Sequence, residues 1–139
     1  MNEEKEIIAQ TYRDYVQAFQ TLEAKAVLPY FQAPFISISS RDVRIMATTS
    51  EIEKSFAGNM EILKQNNYAR TDIKELNARQ MSKGLALVSV DLERYTSDGE
   101  QLGGPGRTYP YTYTLRKVDD HWKITVAMSH DRESILRFD

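Results

Sequence analysis

The sequence has no cysteine, which excludes disulfides, thiolate nucleophiles and cysteine-held zinc or iron–sulfur sites. It has no surplus of either charge. Eighteen lysines and arginines stand against 20 aspartates and glutamates, a net charge of −2, which does not suit a chain specialised for polyanions. Its basic residues Arg41, Arg44, Lys54, Lys64 and Arg70 are scattered rather than striped with aromatics, so no nucleic-acid partner is expected. Long apolar runs are missing too. The longest, Leu85 to Val88, has four residues against the ~20 a membrane-spanning helix needs, so no membrane partner is expected. The opening Met1-Asn2-Glu3-Glu4-Lys5-Glu6 is too acidic for a secretory or organelle signal, and a cytoplasmic location is the expectation. What remains is 139 residues, 41% of them apolar: enough for one core and one domain, spanning 1–139.

The chain reads as helical first and sheet-like afterwards. Between residues 3 and about 22, Ile8, Tyr12, Tyr15, Val16 and Phe19 recur on one helical face, with Glu3, Glu4 and Glu6 in the first turn where acids complement the helix dipole. A short second helix holds Ala24, Val27 and Leu28, and Pro34 closes that segment. Residues 35–39 alternate as a strand, and 44–48 form its hairpin partner. Ser50-Glu51-Ile52-Glu53 reads as a capping box, opening a helix with Ile52, Phe56, Met60 and Leu63 on one face. Strands at 70–81, 86–95, 107–118 and 122–130 follow, separated by turn-forming residues. The order predicts an α+β domain in which a curved, mostly antiparallel six-stranded sheet wraps around three helices.

The last hairpin locates a candidate cavity. With Asp119-Asp120 as a two-residue turn, Val118 faces His121, and the count outward sets Leu115 against Ile124, Tyr113 against Val126, Tyr111 against Met128 and Tyr109 against His130. These side chains, with Trp122, then share one aromatic and apolar face, while Thr112, Thr114 and Pro110 share the other with Thr125, Ala127 and Ser129. A buried tyrosine hydroxyl without a partner costs about 1–3 kcal/mol, so three tyrosines in alternation point to a partly wet interior facing the helices. The same face packed on a second subunit, where tyrosine is also common, is the competing reading. In the 86–95 strand, Ala86, Val88, Val90 and Leu92 form the more apolar side. Placing it inward leaves Asp91 and Glu93 outward.

The order and spacing of these elements resemble the nuclear transport factor 2-like superfamily, with its SnoaL-like and ketosteroid-isomerase-like members. The resemblance runs from Tyr12-Arg13-Asp14-Tyr15 in the first helix, through Ala24-Lys25-Ala26-Val27-Leu28-Pro29-Tyr30-Phe31, to the closing strand Trp122-Lys123-Ile124 through His130. It implies a cystatin-like cone, a pocket between helices and concave sheet, and a homodimer. Ketosteroid isomerase's chemistry does not carry over. Tyr15 falls where that family places its oxyanion-binding tyrosine, but its base falls at about Ser39 and its second acid near Thr112 to Thr114, where this chain has no carboxylate.

The expected ligand-binding set is Tyr12, Tyr15, Phe19, Phe56, Met60, Tyr109, Tyr111, Tyr113, Met128 and His130, taking a small, largely apolar molecule without a cofactor or metal. His130, titrating near about pH 6.5 when unperturbed, is the candidate acid or base, with Tyr15 or Tyr109 beside it. That pairing would make the chain a cofactor-free isomerase, cyclase or dehydratase. A dimerisation module without a ligand is the third possibility. Ser129-His130-Asp131 fails as a triad, because neighbours on a strand point to opposite faces. His121 and His130, roughly 30 Å apart along a strand, fail as a metal pair. Gly103-Gly104-Pro105-Gly106 lacks the lysine and following helix of a phosphate loop and reads as a flexible connection able to gate the cavity mouth.

Overall fold

Burial of one stripe per helix against one face of a single sheet organises the chain. The structure, a computed structural model, describes residues 2–138. Helix α1 (Asn2–Gln20) buries Ile8, Ala9, Tyr12, Tyr15, Val16 and Phe19, the stripe its spacing predicts. The Glu4 carboxylate accepts from Trp122 Nε1 at 2.7 Å and Lys117 Nζ at 3.1 Å. The two donors hold that carboxyl below its ordinary range and moor the start of α1 to the last hairpin. Helix α2 (Ala24–Val27) passes into a 3-10 turn over Leu28–Tyr30.

Strand β1 (Phe31–Ile38) begins earlier than the alternation suggests and runs through Pro34, which therefore does not close the helical segment. Strand β2 (Val43–Met46) pairs only with Phe35–Ile38, so the N–H that Pro34 lacks falls outside that ladder. Helix α3 (Thr49–Gln65) is capped two residues before the expected box. Thr48 Oγ1 accepts from Glu51 N at 3.2 Å, and Glu51 Oε1 accepts from Ala47 N at 2.6 Å. Thr48-x-x-Glu51 and Ser50-x-x-Glu53 satisfy the same pattern, and the helix starts at the first, as soon as the chain leaves β2.

Strands β3 (Tyr68–Ser82), β4 (Leu85–Thr96), β5 (Tyr109–Val118) and β6 (His121–Ser129) complete a sheet of order β2-β1-β6-β5-β4-β3. Every neighbouring pair is antiparallel except β1 with β6, which is parallel. Register shifts interrupt the β1–β6, β3–β4 and β5–β6 ladders, and such bulges bend strands and increase their twist. The fold is α+β, with all three helices and six strands in the predicted order.

The β5–β6 hairpin corrects the register inferred from its turn. Asp119 and Asp120 both take positive φ, 50° and 69°, as a two-residue type I′ turn demands. Val118 faces His121 and Leu115 faces Ile124 as expected. Beyond that, Thr125 is an extra residue: Thr114 pairs with Val126, Tyr113 with Ala127, Thr112 with Met128 and Tyr111 with Ser129. The expected partners of Tyr113 and Tyr111, Val126 and Met128, thus lie on the opposite face, and Ala127 joins the tyrosines. The β1–β6 ladder breaks at the same place, stepping from Phe31↔Ile124 to Ile36↔Val126. Val126 and Met128 are as apolar as the residues they displace, so hydropathy does not reveal the slip.

On the outer face, residues 130–138 fold back over the sheet. Leu136 N donates to Ser89 Oγ at 2.9 Å, Arg132 Nε to Asp91 Oδ2 at 2.9 Å, and Arg137 forks onto Glu75 at 2.5 and 2.7 Å. Ile135, 6% exposed, packs beneath this segment. No described helix is long and apolar enough to cross a membrane. Thr48→Ala removes the acceptor that opens α3 and is expected to lower unfolding stability by about 1 kcal/mol in a urea titration, with Ser50→Ala near neutral.

Candidate functional site

Helical spacing sets the site's upper wall. Tyr12, Tyr15, Val16 and Phe19 lie on one face of α1, and Ser55, Phe56, Asn59, Ile62 and Leu63 on one side of α3. Strand parity sets the lower wall: Phe31, Phe35 and Ser37 from β1, Leu92 and Arg94 from β4, Tyr111 and Tyr113 from β5, and Ala127 from β6. With Arg44, Met46 and Thr71, these residues line a partly open cavity of about 360 Å3 bordered by all six strands and two helices. The volume falls in the range of small-molecule sites, and the wall is mostly apolar and aromatic, as such sites are.

The rings interlock. Phe31 meets Phe35, Phe56 and Tyr15 edge-on at centroid distances of 4.8, 5.0 and 5.3 Å. Tyr12, fully buried, donates its hydroxyl proton to Tyr113 Oη at 3.1 Å, with ring centroids 5.0 Å apart. Burial pushes the phenols of Tyr12, Tyr113 and Tyr15 up from the ordinary tyrosine range, so all three are neutral at physiological pH.

With Arg44 the other cation bordering the cavity, Arg94 is the charged member of the wall that lies inside the mouth. It shares the inward face of β4 with Leu92 and stands across from Thr71 of β3. Its guanidinium carbon lies 4.5 Å from the Tyr109 ring centroid and 5.5 Å from that of Phe19. Its Nε is buried without a hydrogen-bond partner, and none of the ion pairs among the described residues involves it. Desolvation works against the charge, but the oxygens of Tyr111, Tyr15, Tyr113 and Tyr109 outweigh it, so the group stays a cation. Arg44, at the mouth, is exposed and already paired with Asp42 at 3.2 Å. Among the described residues that border the cavity there is no carboxylate and no imidazole.

The structure brings together Tyr12, Tyr15, Phe19, Phe56, Tyr111 and Tyr113 of the predicted set. It separates the other four. Met60 is buried in the core but does not reach the cavity. Tyr109 turns its hydroxyl to the Leu102 carbonyl at 3.1 Å and its ring to Arg94 and Arg107. The Thr125 bulge carries Met128, 39% exposed, to the outer face. His130 follows: Nε2 bonds Thr112 Oγ1 at 2.7 Å and Nδ1 bonds the Asp131 carbonyl at 2.8 Å. It faces neither Tyr109 nor Tyr15. The glycine-rich loop does not border the cavity. It packs instead on Tyr109: a Cβ on Gly103 (φ +88°) would meet Arg107 Cγ and Tyr109 Oη at 2.8 Å. Arg94 escaped the sequence reading, although the parity that turns Leu92 inward applies equally two residues on.

Comparison with known proteins agrees with this architecture. The family described as NTF2-like protein (DUF6841) matches residues 3–132. The chain belongs to this NTF2-like family. A solved NTF2-like protein of unknown function from Shewanella oneidensis MR-1 is similar at 18% identity and a TM-score of 0.67, over 94% of this chain and 100% of that one. An NTF2-like protein with a cystatin-like fold from Novosphingobium aromaticivorans gives a TM-score of 0.73 at 12% identity, over 95% and 84%. A ketosteroid isomerase-like protein from Erwinia carotovora atroseptica SCRI1043 gives 0.64 at 19% identity, over 93% and 96%. These TM-scores show a shared fold. Among curated proteins, none is significantly similar.

Two outcomes test the wall of this NTF2-like chain. Tyr113→Phe leaves the fully buried Tyr12 hydroxyl without its acceptor and is expected to cost about 1–3 kcal/mol in a denaturant titration. The double variant with Tyr12→Phe recovers most of that loss. Raising the pH gives a second readout. The folded-state phenol pKa values lie above the reference value of 10.0, so folding stability is complete below pH 10 and declines above it. Ionisation of Tyr12, Tyr15 and Tyr113, followed at 295 nm, is expected to coincide with alkaline unfolding rather than precede it.

Proposed function

We propose that this NTF2-like protein binds a small, largely apolar molecule in the cavity between α1, α3 and the sheet. One observation carries the reading: about 360 Å3 of space at the centre of the fold, walled by Phe19, Phe31, Phe35, Phe56 and Tyr15. Protein interiors are packed to the density of organic crystals, and space of this size is costly to leave in a core. An engineered cavity of roughly 150 Å3 already takes up benzene, so this volume suits an aromatic ring with a substituent.

The alternative of an isomerase, cyclase or dehydratase working through His130 with Tyr15 or Tyr109 loses its geometric basis. His130 lies across the sheet from the cavity, held by Thr112. Phenols are the weak acids left in the wall, and burial makes them weaker. The homodimer implied by family resemblance stays within the proposal, with the described lining residues all coming from one chain.

The test is a calorimetric titration with neutral aromatics such as indole and 2-naphthylmethanol, run beside Ser37→Phe and Ser55→Phe, each of which puts a ring into the cavity. The expected result is saturable binding to the native chain, lost in both filled variants while their thermal unfolding stays cooperative. Binding that survives both substitutions, or no binding to the native chain, would overturn the proposal.

A further inference from the structure

Arg94 is an odd residue for the place it occupies. Even half-burying a guanidinium is costly, and natural chains commonly offset that with a carboxylate or hydrogen bonds. Asp91, on the opposite face of the same strand, has such an offset: Arg132 Nε lies 2.9 Å from its Oδ2. Arg94 has none. Its Nε is buried and unpartnered, and the ion pairs of the described residues leave it out. The rings of Tyr109 and Phe19 hold it by cation–π attraction at 4.5 and 5.5 Å. Ring faces attract the charge, but they leave the planar N–H fork unclaimed, and that fork matches a carboxylate in two parallel hydrogen bonds.

The surroundings fix the rest of the ligand. The cavity that Arg94 borders carries no carboxylate among its described lining residues, so nothing there competes with an incoming anion. Polar groups on the wall, such as Ser37, Ser55, Asn59 and Thr71, are neutral, and Arg44 at the mouth is already met by Asp42, which leaves Arg94 as the cation available to an anion. Phe19, Phe31 and Phe56 leave room for a hydrocarbon or aromatic body.

We infer that the ligand of this cavity is a small amphipathic carboxylate, its acid group held by Arg94 and its apolar body against Phe19, Phe31 and Phe56. The inference rests on the cavity being a ligand site and adds the chemical class.

The experiment compares two molecules of one shape, 3-phenylpropanoate and 3-phenylpropanamide, titrated calorimetrically against the native chain at neutral pH. A charge-assisted hydrogen-bond pair predicts that the acid binds at least about tenfold more tightly than the amide. Arg94→Met, which keeps length and removes charge, should bring that ratio to about one by weakening the acid and sparing the amide. A second readout needs no variant: the Arg94 Nε–H resonance of the native chain should shift with the acid and stay put with the amide. Equal affinities for acid and amide, or an unchanged ratio in Arg94→Met, overturn the carboxylate assignment and leave the cavity's role as an apolar site standing. Failure of both molecules and of the neutral aromatics to bind overturns both readings together.

Discussion

The contact between Tyr12 and Tyr113 is the constraint on which the site depends. One hydroxyl donates to the other in full burial, so α1 is fixed across β5 at a single height. Once Tyr12 is placed, helical geometry puts Tyr15 and Phe19 one and two turns along, Tyr15 against Phe31 of β1 and Tyr113 of β5, and Phe19 against Tyr68 of β3. Once Tyr113 is placed, strand alternation puts Tyr111 beside it and Leu115 deeper in the core, at 0% exposure. The deep end of the sheet is therefore sealed by apolar packing around Leu115, Ile124 and Trp122. The other end, where Tyr111, Leu92 and Arg94 face α3, stays open inside. A cone closed at one end follows from a mooring at each side of that contact: Glu4 on Trp122 and Lys117, and Gln20 Oε1 accepting from Thr71 N at 2.7 Å.

Features with a single period were legible in the sequence. The α1 stripe, the Asp119-Asp120 turn and Tyr111 and Tyr113 in the wall follow from local patterns that tertiary packing did not disturb, whereas the inward side of β4 is fixed only by its pairing with β5. Features at a phase change were not. The Thr125 bulge adds one residue within a run of equally apolar neighbours, and nothing local distinguishes Ile124-Thr125-Val126 continuing from Ile124-Thr125-Val126 slipping. Its determinant is tertiary: β6 lies between β1 and β5, and Thr125 Oγ1 donates to the Pro34 carbonyl at 3.1 Å, where β1 is itself out of register. One slipped residue moved Met128 and His130 across the sheet, and with them the proposed acid–base chemistry. Arg94 was missed for another reason: a charged residue at the end of an apolar stripe reads as the stripe's boundary, while parity carries it inward.

The polar groups of the outer face have a structural explanation. Ser89 Oγ and Thr112 Oγ1 lie 2.8 Å apart, Thr112 bonds His130 Nε2, and Ser89 accepts from Leu136 N. This chain of bonds satisfies two buried hydroxyls while tying both ends of the 130–138 segment to the middle of the sheet. An all-apolar face would pack the same segment without fixing its register. Hydroxyls and an imidazole in sequence look like catalytic machinery, but the imidazole's second nitrogen is committed to the Asp131 carbonyl and Ser89 is 0% exposed. Ser89 is out of reach of a substrate, and both ring nitrogens of His130 are already engaged in holding the segment.

Asp91 and Arg94 sharpen that contrast. They lie three residues apart on β4 and point to opposite faces, and each has one buried polar atom without a partner, Oδ1 and Nε. For Asp91 the deficit is partial, since its other oxygen accepts from Arg132 and the charge is met. For Arg94 the charge itself is unmet by any described residue, and aromatic faces supply only part of the lost hydration. A chain selected for stability alone would place leucine or methionine at 94, filling part of the cavity and removing the desolvation cost together. Two costly features, an unfilled volume and a half-buried cation without an ion-pair partner among the described residues, stand side by side on one wall. A single occupant, apolar along its body and anionic at its end, offsets both.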